Sequence, residues 1–371
     1  MKFTCSQQQL SKALNTVSKA VTTRTTIPIL KGILLEAEEN QLKLAASDLD
    51  LSIERTLSAT VLEEGSLVVS SKLFSDIIRK LPAGDIEIEQ VENNTVLIRC
   101  KSSEFTIVGQ PADEFPSMGE MENAYQHKIL LEKELLKDMI KKTAFAASID
   151  ESKGVLNGVL FDMTKDALTM VALDGFRMAI AREQMEQEED KKIIVSARIL
   201  NEISKIISDC EEDTDISFVL DEKRASIELA QTKVSLRLLD GEFIKYKDIL
   251  PKESKTKVTV SRSDLLDSIE RASLLAKEGK NNLIKISLQP DRMIITSRSE
   301  EGNVKEEVQI QKEGEELEIG FNSKYLLDVL KVVNEEELTL EFNNSISPCL
   351  VKPILGDAFE YLILPVRIAG N

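Results

Sequence analysis

Lys2-Phe3-Thr4-Cys5, Lys128-Ile129-Leu130-Leu131 and Lys257-Val258-Thr259-Val260 open three stretches of the chain in the same way. Each is a short alternating strand, then a polar break, then apolar residues at helical spacing. Those residues are Leu10, Leu14 and Ala20 in the first stretch, and Leu136, Ile140 and Ala146 in the second. In the third they are Leu265, Ile269 and Ser273-Leu274-Leu275. Counted from the lysines, the offsets are 126 and 255. The likeness continues inward. Ile29-Leu30-Lys31-Gly32-Ile33-Leu34 matches Val155-Leu156-Asn157-Gly158-Val159-Leu160, and Leu42-Lys43-Leu44 with Asp48 matches Leu168-Thr169-Met170 with Asp174. A strand, an N-cap candidate and a second amphipathic helix follow at Val68-Val69-Ser70-Ser71-Lys72-Leu73, at Ile194-Val195-Ser196-Ala197-Arg198-Ile199 and at Gly320-Phe321-Asn322-Ser323-Lys324-Tyr325. Each unit closes on strand–turn–strand patterns, as around Asn93-Asn94.

A repeat of this period means one folding unit used three times. The expected fold is α+β, with three repeated domains at 1–120, 128–248 and 256–368. Each should hold two helices and about eight antiparallel strands. The helices are expected over 6–20, 71–81, 132–147, 196–208, 261–278 and 322–333, and the boundaries in the polar stretches Pro116 to Gln126 and Lys252 to Thr256.

Composition narrows the function classes. With 42% hydrophobic and 30% charged residues and few Gly or Pro, the 371-residue chain reads as globular. Apolar runs such as Ile193-Ile194-Val195 are too short to cross a bilayer, and the N-terminus turns polar at Ser6-Gln7-Gln8-Gln9, so a cytosolic protein is expected. Cys5, Cys100, Cys210 and Cys349 show no CxxC spacing and read as buried reduced thiols. The single histidine, His127, reads as an exposed linker residue, which argues against a His-rich metal site or a Ser/His/Asp system. No GxxxxGK[ST] phosphate loop occurs, and no cofactor or metal is expected. An enzyme would have to rest on carboxylates such as Asp174 and Asp240, but both stand in Leu-Asp-Gly steps that read as turns. A repeat scaffold binding peptides without nucleic acid is the other alternative.

Net charge is −17, which by itself opposes binding to a polyanion. The acidity is unevenly spread. The six expected helices hold 16 Lys and Arg against 10 Asp and Glu, which leaves a net −23 on the strands and loops. Six helices at equivalent places in three copies share this bias, so they could line one surface facing phosphates without reading bases. Domains of this size are about 35 Å across. Three closed in a triangle leave an opening of about 5 Å and six in a hexagon about 35 Å; a duplex of roughly 20 Å passes only the second.

Taken together, these stretches resemble the bacterial DNA polymerase III β subunit family of sliding clamps along essentially the whole chain. The resemblance is carried by Met1-Lys2-Phe3-Thr4, Arg24 with Pro28-Ile29-Leu30, Ser47-Asp48-Leu49, Leu156-Asn157-Gly158 and Asp174-Gly175-Phe176-Arg177-Met178-Ala179. It extends through Ile319-Gly320-Phe321-Asn322, Leu326-Leu327-Asp328-Val329-Leu330 and Tyr361-Leu362-Ile363-Leu364-Pro365-Val366-Arg367-Ile368. It implies a six-domain ring made by a head-to-tail homodimer, with helices inside. Such a ring encircles double-stranded DNA, is loaded by a clamp loader, and holds the polymerase III catalytic subunit and other proteins carrying a clamp-binding motif.

Residue by residue, the resemblance implies DNA contact through Arg24, Lys72, Arg79, Lys80, Lys153 and Arg198, with Asp150 standing where the family often has Gln. It implies a peptide groove from Leu156, Leu173, Gly175, Phe176, Arg177, Met178, Ile244, Ile249, Ile346, Pro348, Leu362, Leu364, Pro365, Val366 and Arg367. Here Phe176 replaces a frequent His, Leu173 a Thr and Ile244 a Pro. It implies a dimer contact centred on Phe105, Leu274 and Leu275, with Arg99 and Lys101 facing Glu300, Glu301, Glu306 and Glu307. The lesser alternative for Leu274 and Leu275 is core packing within one domain. The trailing Ala369-Gly370-Asn371 extends past the family's usual end and is assigned no role.

Overall fold

The computed structural model describes residues 1–116, 128–186, 189–212 and 214–368. His127 and Ala369-Gly370-Asn371 lie outside the described residues. The described residues form six α-helices: α1 (Gln7–Val17), α2 (Ser71–Lys80), α3 (Lys133–Thr143), α4 (Ala197–Asp209), α5 (Arg262–Glu278) and α6 (Ser323–Val332). Each falls where the apolar spacing puts it. The first and third expected helices end early, because α1 and α3 tighten into 3-10 turns at Ser18–Ala20 and Ala144–Ala146. The buried stripes are those of the pattern: Leu10, Ala13, Leu14 and Val17 in α1, and Phe74, Ile77 and Ile78 in α2. Capping follows expectation only in part. Asn322 accepts the Lys324 amide at 3.0 Å, whereas Ser70 makes no side-chain cap bond. With nothing but the backbone geometry to start it, α2 depends on its apolar face.

The chain divides into two compact units. Unit 1 comprises Met1–Leu136 and Glu202–Leu238, and holds two antiparallel sheets. One orders Thr60–Glu63, Lys2–Ser6, Asp85–Val91, Thr95–Cys100 and Ser103–Val108. The other orders Lys128–Leu131, Ile216–Leu220, Arg224–Leu229, Thr232–Arg237, Leu51–Ser58, Gln41–Ser47, Gly32–Glu38 and Gly65–Ser70. This second sheet joins the second repeat to the first, because Thr232–Arg237 pairs with Leu51–Ser58.

Unit 2 comprises Lys137–Asn201 and Leu239–Asn371. Its sheet runs Lys191–Ser196, Gly158–Thr164, Ala167–Leu173, Arg177–Gln184, Phe359–Ile363, Cys349–Pro353, Glu337–Phe342, Thr256–Ser261, Gly302–Gly314, Arg292–Ser299, Leu283–Leu288 and Leu317–Asn322. Here Phe359–Ile363 of the third repeat pairs with Arg177–Gln184 of the second. Each unit therefore contains one seam where two repeats share a continuous ladder. The α+β class and the triple use of one two-helix pattern are as expected. No described helix is long and apolar enough to cross a membrane.

Candidate functional site

The site grows from one turn in unit 2. Asp174 and Gly175 turn the chain into strand Arg177–Gln184: the Asp174 Oδ1 atom accepts the Phe176 and Arg177 amides at 2.8 and 3.0 Å, and Gly175 sits at φ +94°. Asp174 is therefore a turn builder, which removes the reason to read it as an acid/base group. The same carboxylate orients Arg177, whose Nε donates to Asp174 Oδ2 at 3.1 Å. The Arg177 Nη1 donates to Asp328 of α6 and its Nη2 to the Phe145 carbonyl at 2.7 Å, while the guanidinium lies 4.7 Å from the Tyr325 ring centroid and 5.2 Å from that of Phe145. Arg177 is only 9% exposed, so the cation is turned into the wall that it holds together. Phe176 is exposed and stacks on Tyr325, centroids 6.3 Å apart.

Across the seam the Leu364 amide donates to the Phe176 carbonyl at 2.9 Å, fixing the chain beyond strand Phe359–Ile363 against this turn. The floor is a row of directly opposed residues, Leu173, Met178, Leu362 and Leu350, all buried in one apolar cluster with Leu160, Phe243 and Tyr246. Leu156 is partly buried against that cluster. Tyr246 anchors the connecting segment: its hydroxyl donates to buried Asp162 at 3.0 Å, and burial together with that carboxylate pushes the phenol far above its ordinary value. Ile244, Ile249, Ile346 and Leu364 are exposed, as are Gly175 and Arg367, and Pro348, Pro365 and Val366 are half-buried.

All the groove candidates thus belong to unit 2. Reasoning from the sequence missed Tyr325, Asp328, Leu350 and Tyr246. Only Tyr325 left a signal, an aromatic on a helix otherwise carrying a leucine stripe.

The cation candidates are all exposed. In unit 1 these are Arg24, in the stretch from Thr22 to Ile27, and Lys72, Arg79 and Lys80 on α2, where Arg79 pairs with Asp76 one turn earlier. In unit 2 they are Lys153 and Arg198. Asp150 caps the short helix Glu151–Asn157 by accepting the Ser152 amide and hydroxyl at 3.0 and 2.7 Å. Those bonds, with Lys153 nearby, hold its carboxyl below the usual range.

Of the dimer candidates, Phe105 and Leu274 are 40% and 65% exposed, so Leu274 is not core; Leu275 is half-buried. Arg99 is engaged within its own sheet by Glu87, Glu89 and Glu104. Lys101, Glu300 and Glu301 are exposed, Glu306 pairs with Arg271 at 2.6 Å, and Glu307 pairs with Lys305 at 2.6 Å.

Three repeats of one two-helix unit, joined edge to edge by their sheets, with an apolar cluster at the second seam, define the DNA-clamp class. The comparisons agree with that class. Family descriptions of the DNA polymerase III beta subunit match in order: the N-terminal domain over 1–119, the central domain over 130–245 and the C-terminal domain over 247–367. The beta sliding clamp of Bacillus subtilis is 36% identical, with 99% of this chain and all of that protein covered. Among solved structures, a DNA polymerase sliding clamp from Bacillus subtilis superposes with a TM-score of 0.95 at 34% identity, covering 99% of each chain. A DNA polymerase III beta subunit from Eubacterium rectale gives 0.94 at 37%, covering 99% of this chain and all of that one. The chain belongs to the DNA polymerase III beta subunit family.

Proposed function

We propose that two copies of this chain close head to tail around duplex DNA and hold polymerase and other partners there through the groove of unit 2. The carrying observation is a strand pair left over. Each repeat has one receiving strand (Leu51–Ser58, Arg177–Gln184, Gly302–Gly314) and one closing strand (Ser103–Val108, Thr232–Arg237, Phe359–Ile363). Two of the three possible pairings are made within the chain. Among the described residues, Ser103–Val108 has a neighbour on one side only, and so does the first half of Gly302–Gly314. Open edges of this kind invite pairing.

The two seams already made also supply a register. Lys233 faces Glu54 in one and Glu360 faces Ile180 in the other. Carried through the ladders, the same register sets Glu104 opposite Lys305 of a second copy, and Phe105 opposite Val304. The register alone favours Glu104 and Lys305 as a pair across copies; within one copy they are held by Arg99 and Glu307, and closing the ring would have them exchange those partners for each other. Leu274, exposed on α5, completes the apolar centre.

On this reading the acidic chain adheres weakly to DNA, through Arg24, Lys72, Arg79, Lys80, Lys153 and Arg198, and is retained by encirclement. A clamp loader opens the ring, and the clamp itself performs no chemistry. It works in the cytosol, beside the chromosome. The three folding units run over 1–120, 128–248 and 256–368, which the order of elements in each repeat supports. Loaded protein should stay on a nicked circle in moderate salt and leave after linearisation. Equal loss from circular and linear DNA would reject encirclement. Leu274→Asp should sediment as a monomer, and Glu104→Lys should weaken the dimer, with Lys305→Glu restoring it in the double variant.

A further inference from the structure

The two seams are built on the same ladder but floored differently. In unit 2 the row of opposed residues is Leu173, Met178, Leu362 and Leu350. In unit 1 the residues holding the same four ladder places are Ser47, Ser52, Ser235 and Ser226: Ser47 faces Ser52, Ser52 faces Ser235, and Ser235 faces Ser226. Ser47 and Ser226 are 1% and 3% exposed, and Ser47 and Ser52 share a hydrogen bond of 2.7 Å. The Ser226 hydroxyl is buried with no protein partner, as is that of Ser217 on the adjoining strand.

The surroundings of the serine row remain apolar. Leu30 holds the place of Leu156 and packs with Ile29, Ala45, Val68 and Phe115, while Leu49 stands 53% exposed at the place of Gly175. Unit 1 thus keeps apolar flanks like those of the groove around a hydroxylated floor.

We infer that these four floor positions are the specificity determinant that confines apolar peptides to one seam of the chain. An extended peptide seated on the serine row would meet the half-buried Ser52 and Ser235 hydroxyls with its Leu or Phe anchors and cover those two from water, while buried Ser47 and Ser226 offer no apolar bulk beneath them, so apolar burial is lost and polar groups are desolvated together. The inference rests on the reading of the unit 2 seam as a peptide groove.

The test grafts one floor onto the other in the full chain: Ser47→Leu, Ser52→Met, Ser226→Leu and Ser235→Leu together. Its probe is a short extended peptide carrying Leu and Phe anchors, followed by calorimetry. The unaltered chain should bind one peptide and the graft two, the second surviving Leu364→Ala, which touches only the original groove. A folded graft that still binds one peptide overturns the inference. Should the graft fail to fold, the reciprocal pair Met178→Ser with Leu362→Ser decides. It should cut peptide affinity by roughly 30-fold or more while the protein stays folded, since serine already serves at both places in the other seam. Unchanged affinity in a folded reciprocal variant overturns the inference as well. Absence of peptide binding by the unaltered chain would instead reject the groove itself.

Discussion

The seam of unit 1 and the seam of unit 2 make the same backbone ladder and use it differently. Both join the closing strand of one repeat to the receiving strand of the repeat before it, antiparallel and in register. At the first residue of the receiving strand, unit 1 has Leu51, fully buried, where unit 2 has Arg177 with its cage of Asp174, Asp328, Phe145 and Tyr325. Unit 1 turns into that strand with Leu49 at φ +78°, while unit 2 uses Gly175 at φ +94°. Main-chain pairing sets the joint in both units, and the side chains on it are what differ: on the proposed reading they make one joint a plain connection and the other a binding surface. On that reading one folding unit is copied three times while only one of the two seams within the chain acquires a task.

The largest expected effect comes from the cation. Arg177→Ala leaves two carboxylates and a carbonyl facing a void and should destabilise unit 2 by about 3–5 kcal/mol. It should also raise amide exchange through strand Phe359–Ile363; unchanged protection would mean that the ladder alone carries the seam. Next, Leu362→Ser should cost about 3 kcal/mol by emptying a packed floor position. The mirror change Ser235→Leu should stay within about 1 kcal/mol, because that residue is only half-buried and no packed side chain is removed. Equal costs in urea unfolding would erase the contrast.

Smaller still, Leu49→Gly should stabilise unit 1 by about 1 kcal/mol by removing a left-handed leucine, and Gly175→Ala should destabilise unit 2 by a similar amount. The smallest effect belongs to Lys12 of α1, which pairs with Glu211 at 2.8 Å in the open, both side chains exposed. Lys12 holds the Glu211 carboxyl below its usual value. The folded pKa is depressed, so any contribution is present above the ordinary carboxylate range and fades as pH falls through the lowered value. A double-mutant cycle should find at most a marginal coupling at neutral pH and none in strong acid.

Much of this was legible in the sequence. The repeat offsets and the 3.6-residue stripes located all six helices, since local spacing is what those elements depend on. The groove candidates from Leu173 to Met178 and from Leu362 to Arg367 do gather in unit 2. What escaped was whatever depends on distant partners. The burial of Arg177 needs Asp328, far along the chain, and the serine row is drawn from four strands whose order no single stretch reveals. Ser70 read as a cap because serine favours that place, yet its hydroxyl makes no such bond.

Three of the four thiols are buried, and burial raises the Cys5 thiol to about 12 and the Cys349 thiol higher still. Only a thiolate attacks an alkylating reagent, so at neutral pH Cys349 stays silent while its strand, next to the closing strand of unit 2, remains paired. Its rate of labelling is therefore a built-in clock for breathing of that joint, to be read against half-buried Cys210 without introducing any foreign probe.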